Sequence, residues 1–333
     1  VSRIPNDDKP ARATCGPGKF LTADKAAGIF VRMSAEKIID FREADPDCPI
    51  WNRKVYWLVQ VYRDRQRLKL MELQDAFLAR HPVFSTEAVL EFMIFDRDNP
   101  GSIYRCLRAS RENAHAVRGT LTSELWETSN ASWLKMRDFT LAKLMESGPE
   151  AFFEGVKYRS HLSRGVTIGT MLQDEALRFI RLGTFLERAD NTARILEVKY
   201  LNLLPGAEDD THSSDYYQWS ALLHSVSAFE VYRKVYRDQI TPMRVAELLI
   251  LRADMPRSLA RCLKEVHTNL SRVANARSAE TERLAGELES HLHFGRIERI
   301  FERGMRKYLE DFRDCIFDLG CRISDDFLIP ATA

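Results

Sequence analysis

Residues 181–194 read Arg181-Leu182-Gly183-Thr184-Phe185-Leu186-Glu187-Arg188-Ala189-Asp190-Asn191-Thr192-Ala193-Arg194. With their flanks, 174–198, they decide the fold. At about 100° per residue, Leu182, Leu186, Ala189 and Ala193 form one apolar band, and Leu177, Thr184, Ile195 and Val198 form another on roughly the opposite side. Two polar seams lie between. One holds Asp174, Arg178, Arg181, Arg188 and Thr192, with Phe185 among them; the other holds Glu187, Asp190, Asn191 and Arg194 beside Gly183. A surface helix shows one apolar stripe, so two bands require neighbours on several sides. Some of these charges must then be buried and paired, since an uncompensated buried charge costs several kcal/mol. Glu187 with Asn191, and Asp190 with Arg194, stand at i,i+4 and can pair along the helix. Gly183, in a helix interior where glycine is about 1 kcal/mol worse than alanine, suggests close approach by a backbone or ligand. Two readings follow: an internal salt-bridge network that fixes helix register, or a cleft for an anionic or peptide-like ligand.

Outward from this segment the pattern stays helical. Helices are expected over about 22–44, 51–80, 86–94, 101–118, 122–144, 150–161, 171–204, 216–239, 242–251, 256–276, 280–293 and 297–328, and no stretch alternates as a strand would. Asn99 before Pro100 reads as an N-cap with proline at the first helical position. Ser163 to Thr170 reads as a lead-in to the 171–204 helix, where free N–H groups and the Thr167 and Thr170 hydroxyls, beside Arg164, can hold an anion. The expected fold is all-α: a multi-helix bundle built round a central helix at about 171–204, with a polar loop at 206–214 between two halves of similar style. An irregular tail fills 1–20, N-terminal helices 21–73, and the main helical domain 74–331.

Composition narrows the function classes. The 333 residues carry 45% hydrophobic and 29% charged side chains, as a folded globular chain does. Forty-nine Lys and Arg face 48 Asp and Glu, interleaved rather than striped, which argues against nucleic acid as a partner. No apolar run approaches the ~20 residues of a membrane span, and Val1 to Pro17 lacks a signal-peptide core. The six cysteines include no C-x-x-C pair, and Cys106 and Cys262 sit among apolar positions as reduced residues would. The cytoplasm is the expected location. Glu112-x-x-His115 is half of a di-iron pattern without a second half, and Asp96 with Asp98 is a carboxylate pair in a capping loop; neither makes a metal or cofactor the expectation. No Gly-x-Ser-x-Gly elbow is present.

Several ordered motifs carry a resemblance. Besides 181–194 they are Phe95-Asp96-Arg97-Asp98-Asn99-Pro100, Arg111-Glu112-Asn113-Ala114, Leu121-Thr122-Ser123-Glu124-Leu125-Trp126-Glu127, Arg164 to Met171, and Leu251-Arg252-Ala253-Asp254-Met255-Pro256-Arg257-Ser258. From about residue 74 to the C-terminus the chain resembles the alpha-E domain family, bacterial helical proteins named for a Glu-Arg motif. The family's opening Glu-Arg-Ala-Glu-Asn-type helix is not matched, Tyr56-Trp57 and Asp64-Arg65 being a distorted echo. The resemblance implies a role beside ATP-grasp amidoligase-like, transglutaminase-like and proteasome-like proteins in peptide synthesis or modification, with no reaction attached. A non-catalytic partner or scaffold is therefore one expectation. An enzyme or ligand-binding protein is the other, its site grouping Arg111, Glu112 and Asn113 with Glu187, Arg188, Asp190 and Arg194, and drawing on Asp96, Arg97, Asn99, Arg164, Thr167, Asp174, Arg181 and Asn191.

Overall fold

In the computed structural model, residues 74–81, 85–99, 101–201 and 212–327 are described. Every regular element among them is helical. The expected tail and helices of 1–73, and most of the 206–214 loop, lie outside the described residues. Short helices α1 (Gln74–Leu78) and α2 (Thr86–Leu90) come first, the latter running into a π-helical turn over Glu91–Phe95. Then follow α3 (Ile103–Ala116), α4 (Ser123–Arg137), α5 (Leu141–Ser147) and α6 (Pro149–Thr170). The long α7 (Glu175–Leu201) leads to α8 (His212–Ser225), α9 (Phe229–Tyr236), α10 (Pro242–Ile250) and α11 (Leu259–Leu270). The order closes with α12 (Ala279–His293), α13 (Ile297–Arg303) and α14 (Met305–Phe327).

Local chemistry sets these boundaries. The Ser85, Thr122, Thr140, Thr241 and Ser258 side chains each accept a backbone N–H in the first turn of the helix they precede, which satisfies donors the helix itself leaves open. Several expected boundaries are corrected. Asn99 is not the cap of α3; Ser102 is, accepting the Arg105 N–H, while Asn99 is buried and braces the loop from within. The expected 122–144 helix breaks at Asp138 to Thr140 and restarts at Leu141. The expected 216–239 helix breaks where Ser227 takes φ 52°, and the 297–328 helix where Gly304 takes φ 94°, a conformation glycine adopts without steric cost. Pro256 opens no helix: α11 starts three residues later and ends at Leu270 rather than near 276.

The largest correction concerns Ser163 to Thr170. These residues are the last two turns of α6, not a lead-in loop. The Thr167 hydroxyl donates to the Ser163 carbonyl at 2.7 Å and that of Thr170 to the Val166 carbonyl at 2.8 Å. No helix N-terminus faces an anion there. The N-terminus of α7 lies further on, where the exposed Asp174 carboxylate accepts the Leu177 N–H at 3.2 Å.

The helices sort into two packed groups. In one, α4 lies between α3 and α6, and Leu90, Ile94, Ile103, Met136, Leu144 and Val156 form a small apolar core. In the other, α7 packs on α11 and α14, with α12 closing over both. Leu182, Ala189, Ala193 and Leu196 of α7 are fully buried there against residues such as Leu263, Val266, Leu309 and Ile323. α8, which follows α7 in the order of described helices, contributes Trp219, Leu222 and Leu223 to the same core. The two groups meet at Leu125, Met171 and Leu177, covered by Leu121, Val166 and Ile180.

Candidate functional site

The two seams of α7 meet different neighbours. The first faces α11 and the turn before it. Arg181 donates to Glu265 at 2.5 Å, and Arg261 holds the other Glu265 oxygen at 2.5 Å. Arg178 reaches Asn269 at 3.3 Å. Higher up, Arg188 donates to the Pro256 carbonyl at 3.3 Å and Thr192 to the Arg257 carbonyl at 2.9 Å. The Arg181 and Arg188 guanidinium groups lie 5.7 and 5.1 Å from the centre of the Phe185 ring, within cation–π range. The turn that receives them is itself tied: Arg252 grips Asp254 through two bonds, and the Ser258 hydroxyl donates to the Arg252 carbonyl.

The second seam faces α14. Glu187 accepts from Asn191 at 3.1 Å, and Asp190 from Arg194 at 2.7 Å, the two pairings legible in the i,i+4 spacing. Arg313 of α14 then adds what spacing could not reveal. It donates to Glu197 at 2.9 Å and stands 3.7 Å from Asp190. Glu197, outside the expected set, is 1% exposed. Burial pushes its carboxyl above the usual carboxylate range, and Arg313 offsets that only in part. A signal was available: Glu197 stands seven residues after Asp190 and three after Arg194, on the same face of the helix.

The candidates before α7 sit elsewhere. Asp96 accepts the Asp98 and Asn99 backbone N–H groups at 2.7 and 3.0 Å and pairs with Arg80. Burial alone would raise its carboxyl, but these donors outweigh it and hold the group below the ordinary value. Arg97 lies over the Tyr104 ring, and Asn99 donates to the Phe92 carbonyl. This loop is a self-contained turn clamped by Arg80. Arg111 donates to Asn130 and approaches the Trp126 ring, both on α4. Glu112 is exposed and pairs with Arg108. Asn113 is buried, with its amide nitrogen unpartnered. Arg164 is half-buried and Thr167 buried on α6. The expected merger of Arg111, Glu112 and Asn113 with Glu187, Arg188, Asp190 and Arg194 is thus not what the described contacts show: the α3 residues make theirs within α3 and α4. The structure brings together Glu187, Asp190, Asn191 and Arg194, and adds Glu197 and Arg313.

Among the described residues no group of three His, Cys, Asp or Glu is placed to hold a metal ion, and no helix is long and apolar enough to cross a membrane. What the second seam offers chemically is two carboxylates sharing one guanidinium, open at Asp190 and closed at Glu197. No curated protein and no solved structure matches the chain. The family comparison is different in kind: the Alpha-E model, described as a predicted alpha-helical domain with a conserved ER motif, matches residues 51–328. That span contains every helix described above and begins ahead of the motifs that first become readable near residue 74. With Glu187 and Arg188 adjacent on its central helix, this chain belongs to the Alpha-E family.

Proposed function

We propose that the chain is a non-catalytic helical partner or scaffold in an ATP-grasp amidoligase-linked system for peptide synthesis or modification, acting in the cytoplasm. ATP-grasp amidoligase-like proteins are its first partners in this reading, with transglutaminase-like and proteasome-like proteins as further ones. The observation that carries it is the use made of the central helix. Arg178, Arg181, Arg188 and Thr192 are all spent on α11 and the turn before it. Groups bound in this way set the register of packed helices and build a rigid body. The family resemblance supplies the chemical setting. The cytoplasm is favoured by the cysteine pattern, six residues with no C-x-x-C pair and with Cys106 and Cys262 at apolar helix positions.

The test is co-purification of the full chain with an ATP-grasp amidoligase-like protein of the same organism. A complex that survives gel filtration is the expected result; recovery of neither that protein nor a transglutaminase-like one would overturn the reading. The second reading, a binder of peptide-like ligands, is favoured by one observation on the other seam, the incompletely bonded carboxylate of Glu197.

A further inference from the structure

Helix α6 turns Val156, Ser160, Ser163 and Thr167 inward, on the side that packs on α4, and its opposite face stays exposed. There Gly155, Tyr158, Leu162, Gly165 and Gly169 follow one another at steps of three and four residues, with Leu172 next, just past the helix end. All six are exposed, Tyr158 at 67% and Leu172 at 77%, and Ile168 beside them stands at 63%. None is charged. Alternating steps of three and four are the spacing at which one helix lies along another. The glycines sharpen this. Each sits inside a helix, where glycine is a poor choice, yet a Cβ at any of the three would meet no neighbouring element within 4 Å among the described residues. Packing within the chain does not call for them; the close approach of a second backbone does.

We infer that this face docks on the same face of a second copy of the chain, the two α6 helices running antiparallel about a twofold axis. The order of the stripe names the occupant. Forward it runs glycine, tyrosine, leucine, glycine, glycine, leucine, and laid against its own reverse every large residue meets a glycine. Tyr158 lies over Gly169 of the second copy, Leu162 over its Gly165 and Leu172 over its Gly155, and the axis repeats each pair. Charge selects the same register. Arg159 flanks the stripe and falls beside Val166 of the second copy. A slide of one heptad in one direction sets Arg159 against Arg159 and Tyr158 against Leu162, and a slide in the other leaves glycine on glycine with a gap between. The area suffices. The 22 residues of α6 make a rod about 33 Å long and about 11 Å across, so half its surface offers about 570 Å² per copy, or roughly 1,100 Å² in the pair. That just clears the ~1,000 Å² expected of a specific interface, so the dimer forms and dissociates with concentration.

The test is sedimentation of the full 38.4 kDa chain over a concentration series up to about 100 μM. A mass that climbs towards the dimer is expected. Gly165→Glu sets a carboxylate against Leu162 of the second copy and raises the dissociation constant about tenfold or more. Within one chain that position is open and glutamate is the better helix former, so the urea midpoint of the dilute monomer holds or rises. Dimer lost with stability kept marks a docking surface rather than a folding defect. Leu172→Glu, outside the helix, weakens the dimer in the same direction, and Gly119→Glu, at an equally open glycine off this face, leaves it intact. A monomer at every concentration overturns the proposal and gives the face to another occupant. So does a dimer that folded Gly165→Glu and Leu172→Glu variants leave as tight, or that Gly119→Glu weakens equally. None of these outcomes depends on the ATP-grasp complex.

Discussion

The two helix groups bury different chemistry at the same kind of interface. Between α3, α4 and α6 the buried positions include Ser110, Asn113, Ser129, Ser132, Ser160, Ser163 and Thr167. Between α7, α11 and α14 they are Leu182, Leu186, Leu259, Leu263, Val266, Leu309, Ile316 and Ile323, stitched at the edges by Arg–carboxylate bonds. Small hydroxyl side chains bring backbones close and satisfy themselves locally, as Ser132 does on the Thr128 carbonyl and Thr167 on that of Ser163. They bury little apolar area, and area is what the hydrophobic effect rewards, at roughly 25 cal/mol per Å². The first group sets close-fitting small polar side chains beside a small apolar core, while the second rests on a far larger one. The difference teaches that a shared all-α architecture does not mean shared energetics.

Four measurements break or sharpen this contrast. The largest effect is expected in the second group: Leu263→Ala, at a fully buried site on α11, costs about 2–5 kcal/mol, read as a lower urea midpoint. Next comes Glu265→Ala, which strips Arg181 and Arg261 of their shared partner. A loss of about 1–3 kcal/mol is expected, below the range for a fully buried pair because both guanidinium groups reach water. In the first group, Ser129→Ala removes the 3.1 Å bond to Ser110 and costs about 1 kcal/mol. A loss for Ser129→Ala as large as for Leu263→Ala would erase the distinction.

The smallest effect is a difference in acid response. The folded-state value of Asp96 is lowered, so its contribution is present above the unfolded carboxylate value and is lost as pH falls through the folded one. That of Glu197 is raised, so its burial penalty is felt above the folded value and relieved as pH falls through it. Mild acid should therefore leave amide protection on the α7–α14 contact equal or higher. Stronger acid should first loosen the loop around Asp96. Glu197→Gln removes the first trend and leaves the second.

Much of the second group was legible in the sequence. The bands of α7 follow from periodicity alone, and its i,i+4 pairs are where spacing puts them. The partners that matter most were not. Arg181 meets Glu265 across 84 positions and Arg313 meets Glu197 across 116, and no local rule links residues so far apart. Ser163 to Thr170 misled for another reason. Two glycines, two threonines and a serine read as loop by propensity, yet Ser163 and Thr167 face α4 in a helix that packing sustains. Glu112 shows the converse. It stands in a recognisable motif, but its spacing could not tell an exposed pair with Arg108 from a buried ligand.

The Arg188 and Thr192 contacts carry a last consequence. Both end on main-chain carbonyls, those of Pro256 and Arg257. A peptide oxygen is present whatever residue occupies its position, so the turn is free to drift in side-chain identity while keeping its docking geometry. The donors have no such latitude. The mutational tolerance of this junction is therefore lopsided, with its identity written on the rod and only its shape on the turn.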